Sequence, residues 1–230
     1  MAELSIIIPV LNEAQTIAGT LRALAPFRQR GVEVIVVDGG SIDKTTTLAK
    51  PLADRIILAP RGRAAQMNAG AGAASGYILL FLHADTRLPP DADTLILYGP
   101  GREQSVWGRF DVEIDGQHRL LPIVARLMNA RSRSTGIATG DQAIFVTREA
   151  FAKVGGFPDL PLMEDIVLSK KLKAISDPLC LEGRVITSGR RWDEHGLWTT
   201  IWTMWKLRLL FYFGADPADL AREYGYAPRA

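Results

Sequence analysis

The sequence predicts an α/β fold: a mainly parallel central sheet flanked by helices, joined to a smaller mixed or antiparallel part. Three observations carry this reading. In the first half, short β-branched runs alternate with helical stretches, the pattern of parallel strands linked by right-handed crossovers. The run at residues 77–82 is uniformly apolar, as expected of a parallel strand covered on both faces. Beyond residue 100 the pattern changes. Residues 107–114 alternate, with Gly108, Phe110, Val112 and Ile114 on one face and Trp107, Arg109, Asp111 and Glu113 on the other. That spacing predicts a half-solvated strand in an antiparallel or mixed setting.

The elements follow in order. Residues 4–10 form a β-branched first strand, and residues 13–25 place Ile17, Leu21 and Leu24 at helical spacing. Residues 32–37 form a second strand, ending at Asp38-Gly39-Gly40-Ser41. Residues 44–50 read as a short helix stopped by Pro51, and residues 55–58 as a third strand. The small-residue stretch 63–74 permits a helix. Leu120, Leu121, Val124, Leu127 and Met128 form a helical stripe. Residues 143–147 read as a strand, 148–154 as a short helix ending at Gly155-Gly156, 163–174 as a helix, and 184–187 as a strand. An aromatic helix over 197–213 closes the chain. Pro89-Pro90 and residues 98–101 read as loops. No repeat or linker divides the 230 residues, so one domain is expected: a nucleotide-type half over about 1–98, an acceptor-type half over about 99–190, and C-terminal helices over 191–230.

Composition sets the outer bounds. The chain is 47% apolar and 23% charged, too apolar for disorder, and its net charge of +2 supplies no global basic field for nucleic acid. Cys180 is the single cysteine, which excludes a disulfide framework or a cysteine-cluster metal site and fits a reducing, cytoplasmic compartment. The start Met1-Ala2-Glu3-Leu4 lacks a basic n-region and a long apolar core, so no targeting signal is expected.

Ligands of parallel α/β sheets bind at the carboxyl ends of the strands. Three strand ends here carry polar residues: Asn12-Glu13 after the first, Asp38 to Ser41 after the second, and His83-Ala84-Asp85 after the fourth. Singly, each has a local reading. Asn12 can cap a helix, Asp38 can shape a turn, Asp43 can cap the helix at Lys44, and Asp85 can begin a turn. Their convergence on one sheet edge favours a site. Arg61-Gly62-Arg63 at a helix start suits a phosphate, against the alternative of a solvated basic loop. Glu164-Asp165 at another helix start supplies a general base, or merely complements the helix dipole.

Four segments occur in register: Ser5-Ile-Ile-Ile-Pro-Val-Leu-Asn-Glu13, Val36-Val-Asp-Gly-Gly-Ser-Ile-Asp-Lys-Thr45, Leu80-Phe-Leu-His-Ala-Asp85 and Glu164-Asp165. Together they resemble the family 2 glycosyltransferases of the GT-A fold. The stretches Gly62-Arg-Ala-Ala-Gln-Met-Asn-Ala-Gly70 and His83-Ala-Asp-Thr86 look like a compact bacterial subgroup found beside radical-SAM and selenium-related genes. The resemblance implies a glycosyltransferase moving a sugar from a nucleoside-diphosphate sugar, of UDP or GDP type, to a hydroxyl acceptor by an inverting displacement. Pro9, Asn12, Glu13, Asp38, Ser41, Arg63, Asn68, His83 and Asp85 would bind the nucleotide-sugar. Asp85 would hold Mg²⁺ or Mn²⁺; His195 is a second candidate for the metal, against the alternative of a surface or capping residue. Asp165, with Glu164, would be the catalytic pair, and Gly140, Asp141 and Gln142 would lie on the acceptor side.

One departure is visible. His83 stands where the family's metal-binding Asp-x-Asp motif has its first Asp, which removes a negative charge beside the metal. A packed histidine at a strand end is the local alternative. The change keeps open a degenerate, non-catalytic nucleotide-sugar-binding protein. A sugar-nucleotide pyrophosphorylase-like enzyme and a dinucleotide-dependent dehydrogenase are the other rivals, and both want a glycine-rich loop where Leu11-Asn12-Glu13 stands. The last helix has two readings as well. Trp198, Trp202 and Trp205 sit near Arg190, Arg191, Lys206 and Arg208. They would pack on the domain or a second subunit as a homodimer, or rest at the inner face of a membrane, which would suit a lipid-linked acceptor.

Overall fold

A computed structural model describes residues 2–226. Its centre is one eight-stranded sheet in the order β3-β2-β1-β4-β7-β6-β8-β5. The elements run as β1 (Leu4–Val10), α1 (Ile17–Ala23), α2 (Ala25–Gln29), β2 (Glu33–Asp38), α3 (Thr45–Ala49), β3 (Arg55–Leu58), α4 (Arg63–Ala73), β4 (Ile78–Phe81), β5 (Thr86–Arg87) and α5 (Ala92–Tyr98). Then follow β6 (Trp107–Asp115), α6 (Leu121–Thr135), β7 (Phe145–Thr147), α7 (Arg148–Lys153), α8 (Glu164–Lys173), β8 (Leu179–Ser188), α9 (Arg190–His195), α10 (Leu197–Tyr212) and α11 (Pro217–Glu223).

Strands β1 to β4 are parallel neighbours, and β7 is antiparallel to both β4 and β6. β8 then runs parallel to β6 and antiparallel to β5. The carboxyl ends of β1, β2, β4, β6 and β8 therefore share one edge, and antiparallel β5 and β7 begin at that edge. This is why residues far apart in sequence meet there.

The period of two in β1 divides the core. Leu4, Ile6, Ile8 and Val10 pack with Ile17, Leu21 and Leu24 of the α1 region on one side. Ile7, with Ile35 and Val37 of β2, packs under Ala64, Met67 and Ala71 of α4 on the other. Helix α4 lies close because its contact residues are small. A Cβ on Gly70 would collide with the Ile7 side chain and come within 2.9 Å of Val37.

The structure corrects several expectations. The helix expected over 13–25 is broken. Asn12 adopts a left-handed conformation (φ 56°), residues 14–16 form a turn, and α1 begins only at Ile17. A second helix then starts at Ala25, with Pro26 tolerated in its first turn. Strand β6 is half-solvated only toward its end, because Trp107 and Arg109 are as buried as Phe110. Helix α8 covers this supposedly wet face: Trp107 packs with Leu168 and Leu172, and its indole donates to the Ser176 carbonyl at 2.9 Å. The last strand extends over Leu179–Ser188, well beyond 184–187. The two-residue β5 precedes the Pro89-Pro90 loop and helix α5 follows it, and neither was foreseen.

Candidate active site

The strand-end loops are built before any ligand is considered. Asn12 does not cap a helix; its Oδ1 accepts from the Ile42 amide at 2.9 Å, while its own amide donates to Ser41 Oγ at 2.9 Å. Asp43 accepts from Ala14 and Thr45 amides and so ties the same two loops. Asp38 is 4% exposed, and its carboxylate accepts from the Gly40 and Ser41 amides and the Ser41 hydroxyl. Asp38 and Ser41 thus organise the loop internally. Gln66 was not singled out from the sequence, yet it clamps both strands: its Nε2 donates to the Val10 and Val37 carbonyls, each at 2.8 Å.

Between this edge and the C-terminal helices lies a cleft of about 610 Å³. Pro9, Glu13, Arg63, His83, Asp85 and Asp141 line it, together with Thr187 and Ser188 from the end of β8. A smaller recess of about 100 Å³ adjoins it and shares Arg63, His83 and Asp141. Gly140, Glu164, Asp165 and Arg208 line that recess. Asp165 is fixed at the start of α8, where Oδ2 accepts from the Gly140 amide at 2.8 Å and Oδ1 from the Ile166 amide at 2.7 Å. Gly140 is required to be small, since a Cβ there would come within 2.6 Å of the His83 ring. His83 Nδ1 lies 3.4 Å from Asp141 Oδ1.

The fields in the recess are opposed. Burial, and then the charge of Asp165, push Glu164 up to about 7. Burial alone would raise Asp141, but its hydrogen bond with His83 and the charges of His83, Arg63 and Arg208 hold it below the usual carboxylate range. Packing around the Arg63 guanidinium would lower it, yet Tyr226, Glu164, Tyr224 and Asp141 keep it above its ordinary value. Arg63 remains exposed at the cleft wall, so water screens these fields in part.

Not every predicted residue reaches the cleft. Asn68 of α4 bonds the backbone of Phe157, accepting from its amide at 3.0 Å and donating to its carbonyl at 2.9 Å. Gln142 is fully buried, and its Oε1 accepts from the Thr139 amide. His195 is exposed at the end of α9, outside the residues that line the cleft. Other contributors were missed in the sequence. Tyr224 and Tyr226 line the cleft from beyond α11. The Arg191 guanidinium lies 3.6 Å from the centre of the Tyr224 ring, and that of Arg63 5.2 Å from Tyr226. Their only signal in sequence was the aromatic character of the chain's last stretch.

Among the described residues, no group of three or more His, Cys, Asp or Glu side chains could hold a metal by itself. Asp85 presents a partly exposed oxygen donor at the cleft. That donor set fits a hard cation drawing most of its ligands from a bound diphosphate, not a metal caged by the chain.

A nucleotide-type half-sheet, a mixed extension and a cleft at the strand ends define the GT-A glycosyltransferase fold, and known structures agree. A mannosyltransferase from Pyrobaculum calidifontis, solved with GDP-Man and Mn²⁺, superposes with a TM-score of 0.65 at 21% identity, covering 98% of this chain and 66% of that one. S. aureus TarS with UDP-GlcNAc gives 0.64 at 17% identity, covering 82% and 58%. The sequence matches Glycosyl transferase family 2 over residues 5–150, more than half of its length, and the chain belongs to that family. Relatives include a PGL/p-HBAD biosynthesis glycosyltransferase of Mycobacterium bovis, 40% identical over 98 residues, covering 40% of this chain and 38% of the relative. An undecaprenyl-phosphate 4-deoxy-4-formamido-L-arabinose transferase of Pseudomonas paraeruginosa is 31% identical over 150 residues, covering 60% and 44%. The chain thus spans less than half the length of these relatives.

Proposed function

We propose that the protein transfers a sugar from a nucleoside-diphosphate sugar to an acceptor hydroxyl with inversion at the anomeric carbon. The observation that carries this reading is the meeting of Arg63, His83, Asp85 and Asp141 with Asp165 at one cleft and its adjoining recess. Asp165 is the base. It takes the acceptor hydroxyl proton as that oxygen bonds to the anomeric carbon, and the bond to the β-phosphate breaks, its electrons leaving with the nucleoside diphosphate. Arg63, and Arg61 and Arg190 along the cleft, offset the charge on the departing diphosphate. Mg²⁺ or Mn²⁺ held at Asp85 would supply Lewis-acid neutralisation of the same leaving group. In this reading residues 1–98 bind the donor, residues 99–190 the acceptor, and the C-terminal helices close the acceptor side.

The exposed face of α10 supports peripheral membrane contact. Trp198, Trp202 and Trp205 are 72%, 72% and 66% exposed, beside Lys206. No described helix is long and apolar enough to cross a membrane. The relative named for undecaprenyl phosphate favours a lipid-linked acceptor for this chain too.

The deciding experiment is calorimetric screening of UDP, GDP and their sugars with and without Mn²⁺, followed by assay of sugar transfer and hydrolysis. Binding without turnover in any acceptor mixture, unchanged by Asp165→Asn, would indicate the non-catalytic alternative. No nucleoside diphosphate binding under any metal condition would overturn the reading.

A further inference from the structure

The turn after α11 sets two aromatic rings against two arginines of the cleft. Gly225 is left-handed (φ 88°), its amide donates to the Arg222 carbonyl at 3.1 Å, and the Tyr226 amide donates to the Ala221 carbonyl at 2.8 Å. This pattern stops a helix and reverses the chain, and it needs a residue without a Cβ penalty at the left-handed position. It also brings the residues flanking the glycine together: the Tyr224 and Tyr226 rings meet edge to face, 5.1 Å between centres. Leu220 and Ala221 anchor the turn, buried with Leu162, Met163 and Ile166, which flank Glu164 and Asp165 in the chain. From this anchor each ring faces a cation. The Arg191 guanidinium lies 3.6 Å from the centre of the Tyr224 ring and also donates to the Tyr224 carbonyl at 2.9 Å. The Arg63 guanidinium lies 5.2 Å from the centre of the Tyr226 ring. All four residues line the cleft. Arg63 is exposed there and, among the described residues, has no hydrogen bond or ion pair. The Tyr226 ring is therefore the contact that restrains its guanidinium.

We propose that Tyr226, seconded by Tyr224, is a positioning residue of the donor site: the rings hold Arg63 and Arg191 in the cleft with N–H donors free for the oxygens of the donor's diphosphate. A ring attracts the cation through its π face and occupies none of the guanidinium donors as a carboxylate would, so the side chain is steadied while its hydrogen-bonding capacity is kept. A restrained arginine loses less rotamer freedom when it grips an anion, and that saving appears as affinity. The contact also crosses the cleft, since Arg63 opens α4 at the sheet edge and Tyr226 stands on the opposite wall. The identity of the anion rests on the glycosyltransferase reading; the ring-held arginines as a site for a phosphate do not.

The test titrates pyrophosphate, UDP, GDP, uridine and guanosine into the protein by calorimetry, with and without Mn²⁺. Tyr226→Leu should weaken pyrophosphate and nucleoside diphosphate binding about threefold or more, and leave the matching nucleoside unchanged. Tyr226→Phe keeps the ring and should bind within about twofold of the native protein. In Arg63→Gln protein, already weakened, Tyr226→Leu should cost nothing further, whereas a purely structural role for the ring would add its loss in either background. Thermal unfolding certifies that the variants fold, and Tyr224→Leu reads the same effect through Arg191 if Tyr226→Leu does not. Unchanged phosphate affinity in Tyr226→Leu, or an equal further loss in the Arg63→Gln background, overturns the inference. Tighter binding does so too, because the turn would then compete with the anion. If pyrophosphate shows the coupling while no nucleoside diphosphate binds better than it, only the donor reading falls; if neither binds, both fall.

Discussion

Asp165 and Glu164 are adjacent in the chain yet chemically unlike. Asp165 accepts two backbone amides at the recess, whereas Glu164 is 4% exposed and raised to about 7. Glu164 therefore titrates near neutral pH, whereas Asp165 is held by its two backbone amides at the recess wall and is the better-placed base. Asp165→Asn should lower kcat by about 10²–10⁴-fold with a much smaller effect on donor binding, measured by steady-state kinetics and calorimetry. Glu164→Gln should retain most activity. The sign of its stability effect follows from linkage: the native state prefers the protonated acid, so stability is greatest below about 4.5 and is lost as pH rises through about 7. Glu164→Gln should therefore raise Tm at pH 8 and leave it unchanged at pH 4, a difference of about 3 kcal/mol at most, read by thermal unfolding at the two pH values. The roles of Asp38 and Ser41 show where residue-level reading stops. Their strand-end position was legible, but not that the loop's own amides would occupy the carboxylate.

At the scale of elements, periodicity served best where each face of a strand met one environment throughout. Strands β1, β2 and β4 were legible because helices on both sides leave them buried almost throughout, whereas edge strand β3 showed only a short apolar run. Strand β6 was half legible: its alternation is genuine, but α8 lies over Trp107 and Arg109 is buried with a bond to the Asn129 carbonyl of α6, and nothing in the local pattern announces covers supplied later in the chain. Strand β5 is two residues long and had no period to detect. The close seat of α4 was readable from its small residues, and it predicts a cost: Gly70→Ala should destabilise the protein by about 1–3 kcal/mol through collision with Ile7, measured by urea denaturation. For α10 the outward face is the exposed one, so Trp198→Ser, Trp202→Ser and Trp205→Ser together should reduce sedimentation with anionic vesicles about tenfold or more. Their Tm should move by no more than about 2 °C, since little packing is lost.

On the scale of the molecule, the cleft is assembled from both ends of the chain. β1 supplies Pro9 to one wall, and Tyr224 and Tyr226 close the opposite side after more than two hundred intervening residues. Sequence motifs identified the sheet-edge wall, because strand ends project there by topology. The tyrosine wall was not legible, since its placement depends on how α10 and α11 pack on Leu162, Met163 and Ile166. A ligand joining both walls should stabilise the whole fold. Nucleoside diphosphate at about 100 times its Kd adds about 2.7 kcal/mol, a rise in Tm of roughly 5–10 °C for a chain of this size. The shift should shrink for Asp85→Ala when Mn²⁺ is present and change little when it is absent.

The distribution of the five tryptophans has an optical consequence. Trp107 and Trp192 are buried, while Trp198, Trp202 and Trp205 stand in water on one side of α10. Emission from the free protein should thus be dominated by red-shifted, acrylamide-quenchable indoles. If α10 settles among lipid headgroups, those three fluorophores should shift to the blue together and become quenchable by brominated acyl chains, while the two interior ones stay silent. The native protein thus reports its own partition between water and bilayer, with no label attached.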